Sequence, residues 1–356
     1  MKPNTCVVLI LLFFLALPFT YGGCSGGGSS STHNNNSLPY ISPEEAGYSS
    51  KKLEDVKQFA KESGYAAVMA LYDGKVFFSW GKIATNYWCH SIRKPFLSAL
   101  YGIQIARGSL NIGATLEDLQ IDDIPPGITS AEKQAKVEHL LMSRSGVYHE
   151  AAAEDQIMID TRPPRGSHPP DTFFYYNNWD FNALGTIFEQ ESGEEIFNAF
   201  KRDIADVLGM EDFSVKNCHY QYEWNKSMHP AYHFRMSARD MARFGILYQQ
   251  YGKWRGTQII PELWIDESTI PYSVIEDTGG LGYGYMWKSI PEDSDLGQMI
   301  GYSGYFHTGA GVHALVIIPD LKLVLVERLD TDQDWEDPGD AGLELGLMII
   351  DSRIDN

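Results

Sequence analysis

Cys89-His90-Ser91-Ile92-Arg93-Lys94-Pro95-Phe96 is the stretch around which this chain is organised. It sets Ser91 and Lys94 three residues apart, and on the first turn of a helix such a pair shares one face. A serine hydroxyl is a poor nucleophile at neutral pH and needs a base within hydrogen-bond reach. A buried lysine can be that base, because desolvation lowers its pKa. The residues after it, PFLSALYGIQIARG (95–108), form an apolar helical pattern ending in glycine. A nucleophile there has the positive end of a buried helix behind it. A second Ser-x-x-Lys pairing occurs within Ser49-Ser50-Lys51-Lys52, but it opens the charged run KKLEDVKQFAKES and reads as a cap on a solvated helix. Taken alone, Ser91 is read equally well as a nucleophile or as a helix cap.

The 356 residues suffice for one large domain or two modest ones, and 44% hydrophobic content is globular. A net charge of −19 argues against a nucleic-acid partner, which needs a basic footprint. Lys2 followed by CVVLILLFFLALPF (6–19) reads as an export signal, too short for a comfortable membrane span. Tyr21-Gly22-Gly23-Cys24 is similar to a bacterial lipobox, in which the cysteine is lipidated, although an aliphatic residue is usual where Tyr21 stands. The expectation is a signal peptide over 1–23, a flexible tether over 24–39 built on SGGGSSSTHNNN, and a single domain over 40–356. The protein is then exported to the cell envelope or periplasm, with a lipid anchor on Cys24 as its membrane contact. A plain cleaved signal is the alternative. Cys89 and Cys218 are the cysteines left for the folded part, and two buried thiols are favoured over a disulfide. No Cys-x-x-Cys or His-Glu-x-x-His spacing occurs, and no cofactor or metal is expected. His149, Glu150, Glu154 and Asp155 cluster without a ligand spacing.

Residues 49–63 read as an amphipathic helix, and residues 66–72 and 75–80 as a hairpin turning on Asp73-Gly74. From the Ser91 helix to about Trp287 the pattern is mostly helix and loop. It includes a short helix at 137–141, a helix over 192–208 started by Ser-Gly-Glu-Glu, and a helix opened by a capping box at Ser237-Ala238-Arg239-Asp240. Strands return at 312–318 and 322–327, and residues 341–354 look helical. Strands at both ends with helices between them imply an α/β (α+β) fold: one antiparallel sheet from the two chain ends, flanked by helices, with a helical region inserted.

Two further segments could carry chemistry. In Phe174-Tyr175-Tyr176-Asn177-Asn178, a tyrosine can act as general base near a cation, and an asparagine two residues on can orient a carbonyl and an amide. The same segment also reads as aromatic core. In His307-Thr308-Gly309-Ala310-Gly311, small residues let backbone approach a ligand and aim an N–H at it. A glycine-rich turn between strands is the other reading.

In order along the chain, these elements resemble the serine β-lactamase-like family of class C β-lactamases, D,D-peptidases, carboxylesterases and nylon-oligomer hydrolases. The family pattern is Ser-x-x-Lys, Tyr-x-Asn, then Lys-Thr-Gly or His-x-Gly. The flanking runs SPEEAGYSSKKLEDV (42–56), VEHLLMSRSGV (137–147) and MSARDMARFGILYQQYGKWRGTQIIPELWIDEST (236–269) are similar to family segments too. Tyr175-x-Asn177 also fits the second motif, but counting back from Leu184-Gly185 selects Tyr176 and Asn178. The resemblance implies a β-lactamase/transpeptidase-like fold with Ser91 as acylated nucleophile and Lys94 and Tyr176 sharing the proton work. It implies an oxyanion hole from the N–H groups of Ser91 and Ala310, and Asn178, His307, Thr308 and Gly309 around the substrate.

Departures shape the functional expectation. His307 stands where lactamases and D,D-peptidases carry a carboxylate-binding lysine, and histidine is mostly neutral near pH 7. Asn177 and Asp180 replace a serine and a glycine and are expected to reshape the pocket wall. The chain is thus expected to be an exported serine hydrolase of a small ester or amide. The alternatives are a D,D-peptidase or weak class C-like β-lactamase, and a non-catalytic envelope binding protein.

Overall fold

Asp73 and Gly74 take positive φ (49° and 75°) in the computed structural model, which describes residues 37–311, 313–333, 335, 339 and 341–354. That turn suits Asp-Gly and joins β1 (Ala67–Tyr72) to β2 (Lys75–Gly81). The expected signal peptide, Cys24 and most of the tether lie outside the described residues.

The sheet continues with β3 (Ser273–Val274), β4 (Gly282–Tyr283), β5 (Lys288–Ile290), β6 (Gly304–Gly309), β7 (His313–Ile318) and β8 (Leu323–Arg328). All eight strands pair antiparallel in the order β2-β1-β8-β7-β6-β5-β4-β3. Because β8 pairs with β1, the two chain ends share one sheet, as the order of strands and helices implied. The strands β3 and β4 fall within the residues up to Trp287 read as mostly helix and loop, and β5 follows directly after them. They are two or three residues long, too short to show an alternating pattern.

Side chains alternate across β6. Tyr305, His307 and Gly309 are buried, while Phe306 and Thr308 on the other face are half-buried. Helices α2 (Arg93–Ala106), α3 (Asn178–Ser192) and α4 (Ala238–Gln249) share the larger core with the first of these faces. Helix α1 (Ser50–Glu62) and the C-terminal helix α6 (Ala341–Asp351) pack on the other face, over Val68, Ala70 and Leu325. Between β5 and β6 lies the short helix α5 (Asp295–Ile300).

The segment carrying Ser91 is fixed from behind. Phe96 sits among the rings of Phe200, Phe234 and Phe244 at centroid distances of 4.8–5.3 Å. Burying such a ring stabilises by about 1.5–3 kcal/mol. At the start of α4, Ser237 accepts from the Asp240 N–H, but the Asp240 carboxylate turns away to the N–H groups of Glu211, Asp212 and Phe213. Half of the expected capping box is therefore spent on holding a loop. The helix expected over 192–208 starts later: α3 ends at Gly193 (φ 70°), and the chain resumes as Ile196–Phe200, a π-helical turn Lys201–Ala205 and Asp206–Leu208 without a break. Among the described residues, no helix is long and apolar enough to cross a membrane.

Candidate active site

Lys94 Nζ lies 2.8 Å from Ser91 Oγ. A short 3₁₀ turn, His90–Ile92, runs directly into α2, so Ser91 sits just ahead of the helix and Lys94 inside its first turn. His90 has φ of 46°, a costly conformation for this residue. Its Nε2 is anchored on Thr331 Oγ1 at 2.8 Å. Lys94 is 1% exposed. Burial, then the charges of Arg93 and Lys288, hold its amine well below the usual lysine range, and Asp155 opposes them. An amine whose proton is thus weakened, facing a serine hydroxyl, can serve as a general base.

Tyr176 completes the group. Its ring lies 4.7 Å from Lys94 Nζ, and Ser91, beside its hydroxyl, favours the phenolate. Burial outweighs Ser91 and raises its pKa, so the resting side chain is a neutral phenol. Tyr175 instead donates its hydroxyl to the Met158 carbonyl at 2.5 Å.

The third segment meets the first through Gly309. A Cβ there would sit 2.6 Å from the Cys89 carbonyl oxygen and 3.4 Å from the Ser91 nitrogen, so only glycine permits the approach. Gly309, Ala310 and Thr308 line the same cavity as Ser91 and Tyr176, about 1110 Å³ in volume.

Two expected residues are placed differently. His307 does not line the cavity. It points inward, fully buried, with Nδ1–H donating to the Thr308 carbonyl at 2.8 Å and its ring 6.4 Å from that of Tyr176. Burial, with Lys288 and Lys94 nearby, keeps it neutral. Asn178 does not line the cavity either: Nδ2 donates to the Ala153 carbonyl at 2.5 Å, and Oδ1 is buried with no partner among the described residues.

Asn177 and Asp180 form no pocket wall. They turn inward onto Ser145: Asp180 Oδ1 accepts from Ser145 Oγ at 2.5 Å and from Asn177 Nδ2 at 3.1 Å. The acidic cluster near His149 is tied into the local structure, although Asp155 also lines the cavity. Glu154 pairs with Arg162, and Asp155 caps the helix Gln156–Thr161. Among the described residues no group of three or more His, Cys, Asp or Glu could hold a metal. Cys89 and Cys218 are both free.

Sequence reasoning passed over Lys288. It stands on β5, beside Phe306 of β6, and its Nζ donates to Thr308 Oγ1 at 2.9 Å. It lines the cavity, and among the described residues no carboxylate pairs with it. Burial alone brings its pKa down to about 8, so at pH 7 it remains mostly cationic. A neutral His307 therefore does not leave the cleft without a cation. No motif marks Lys288; only strand pairing brings it to Thr308.

The sequence matches the Beta-lactamase family over residues 56–345. A comparison with curated proteins finds no match. Among solved structures, a Bacillus anthracis protein assigned as a 6-aminohexanoate-dimer hydrolase is similar with a TM-score of 0.64 at 16% identity, over 88% of this chain and 87% of that one. The octameric penicillin-binding protein homologue of Pyrococcus abyssi gives 0.60 at 18%, over 84% and 76%. A penicillin-binding protein of Bacillus halodurans gives 0.61 at 15%, over 82% and 99%. At these identities the likeness is one of fold.

Proposed function

The chain belongs to the Beta-lactamase family, and from that premise we propose that it is an exported serine hydrolase that cleaves a small ester or amide through an acyl-enzyme on Ser91. The observation that carries this reading is the 2.8 Å contact between Ser91 Oγ and a buried Lys94 amine. Lys94 takes the hydroxyl proton as Oγ attacks the substrate carbonyl. The N–H groups of Ser91 and Ala310 receive the developing oxyanion. Tyr176, a neutral phenol in contact with Ser91, hands a proton to the departing alcohol or amine and is reprotonated from Lys94. Water then attacks the acyl-enzyme by the reverse path and frees Ser91. Export and a lipid anchor on Cys24 belong to the same proposal and are supported by the apolar run at 6–19 and the small residues before Cys24.

One observation favours a second reading. Lys288, bonded to Thr308 beside the nucleophile, offers a fixed charge to a substrate carboxylate, as a D,D-peptidase or β-lactamase needs. A non-catalytic binding protein would have no use for a buried lysine amine on a serine hydroxyl.

The test is incubation of folded protein with a fluorophosphonate and with a short-chain p-nitrophenyl ester, followed by mass spectrometry. An adduct on Ser91 and ester turnover are expected. Absence of both sinks the hydrolase reading.

A further inference from the structure

The cavity does not end at the nucleophile. From Thr308 it runs over the face of the sheet that α1 and α6 cover only in part. Strand register lays out its floor in three rows. Thr308 lies beside Ala314, Phe306 beside Val316, and Ile318 beside Leu323. From the first row to the third is about 14 Å at the rise of an antiparallel strand. Leu296 and Ile300 of α5 stand on one side of this trough, and Gly346 and Leu347 of α6 on the other. At Gly346 a Cβ would reach ordinary contact with Leu325 Cδ2, at 3.5 Å, so the missing side chain keeps that wall open.

The distribution of polar groups gives the trough a direction. The hydroxyls of Ser91 and Tyr176 and the Lys288 ammonium gather at the mouth. Beyond them the floor is Phe306 with Val, Ile and Leu. Glu327 on β8 is buried, accepts from Tyr65 at 3.3 Å, and burial pushes its carboxyl well above the usual range, while Asp155 and Glu276 also line the cavity, from outside these strands. A peptide or sugar laid on this floor would leave its amides or hydroxyls unpaired, which costs free energy. A hydrocarbon chain would not.

We propose that the trough holds the acyl chain of the substrate, an unbranched chain of about eight to twelve carbons lying over β6 and β7 with its carbonyl at Ser91. This rests on the acyl-transfer reading and names its substrate class.

The experiment measures kcat/KM of the full chain for p-nitrophenyl acetate, butyrate and decanoate, each below its micellar concentration. A rise of about tenfold or more from butyrate to decanoate is expected from the added methylenes. Gly346→Leu and Val316→Trp fill the trough from wall and floor. Each should erase that gain and leave butyrate turnover within about twofold, the latter showing a folded site. A wild-type profile that is flat or falls with chain length overturns the proposal, as does an undiminished decanoate preference in both folded variants. If a variant does not fold, the wild-type profile decides alone. If wild type turns over no ester and takes no fluorophosphonate, the acyl-transfer reading is what fails. The trough is then judged by whether decanoate displaces an anilinonaphthalene sulfonate dye from wild type but not from Val316→Trp, and no such displacement overturns it.

Discussion

Lys288 Nζ and Thr308 Oγ1 meet at 2.9 Å across β5 and β6, which puts a cation with no carboxylate partner among the described residues beside the nucleophile. In a water-poor cleft such a charge is worth on the order of 1–3 kcal/mol to an anionic group. Lys288→Met is therefore expected to raise KM for the p-nitrophenyl monoester of glutaric acid about ten- to a hundredfold. The neutral butyrate ester should change little, because methionine keeps the apolar stem over Phe306. Equal losses on both esters would mean that Lys288 merely props up the strand pair.

The neighbouring tyrosines separate two alignments of the second motif. Tyr176 contacts Ser91 and Lys94, whereas Tyr175 spends its hydroxyl on the Met158 carbonyl. Tyr176→Phe should lower kcat by about a hundredfold or more by removing the proton relay. Tyr175→Phe should leave kcat near wild type and lower stability by about 1 kcal/mol for one lost hydrogen bond. Steady-state kinetics and thermal melts of the two variants decide, and the reverse pattern would move the motif by one residue.

The parts of the site legible in the sequence were those carried by local spacing. Ser91 and Lys94 meet because a helical turn brings i and i+3 together, and Asp73-Gly74 turns as that pair must. What could not be read depends on contacts between distant segments. Lys288 reaches Thr308 only through a three-residue strand with no alternation to announce it. His307 was placed in the cleft by motif position, but the two-residue period of β6 turns it to the face opposite Thr308. Asn178 is diverted by the carbonyl of Ala153, which no spacing links to it. Helix α3 was hidden because an aromatic run, Phe173 to Tyr176, leads straight into it, and Asn177 caps it through a bond visible only in three dimensions.

Asp180 ties the inserted helical region to pH. Burial raises its carboxyl well above the usual 3.8, its Oδ2 has no partner among the described residues, and Oδ1 accepts from Ser145 and Asn177. The folded state thus holds a proton that the unfolded chain has released. Its contribution is whole below the unfolded value near 3.8 and is lost as pH rises from there toward the folded value. Asp180→Asn should flatten the fall of melting temperature between pH 5 and 8 and stabilise the protein by about 1–3 kcal/mol at the upper end. Urea melts at both pH values check this, and a variant less stable at pH 8 would mean that the carboxylate is ionised and satisfied.

The position of His307 reverses what its place in the motif suggests. Lysine there would seem to restore a carboxylate-binding charge, yet the side chain at 307 points into the core beside Tyr176, and Lys288 already supplies a cation on the cavity side of Thr308. Lys94 and Lys288 both disfavour a positive charge at 307. A lysine at that point would be a buried ammonium without a counter-ion, or a neutral amine forced to give up its proton. If it kept its charge, it would also lower the basicity of Lys94 further. His307→Lys is therefore expected to destabilise the fold by about 3 kcal/mol, near what an unpaired buried charge costs. It should lower kcat/KM on neutral and carboxylate-bearing esters alike. His307→Gln, whose side-chain amide can donate to the Thr308 carbonyl in place of Nδ1–H, should stay within about threefold of wild type. The comparison uses the butyrate ester and the glutarate monoester, with thermal melts of each variant. A gain on the glutarate monoester alone in His307→Lys would show that residue 307 reaches the cleft after all, and that the inward setting of its ring is not the one the working enzyme uses.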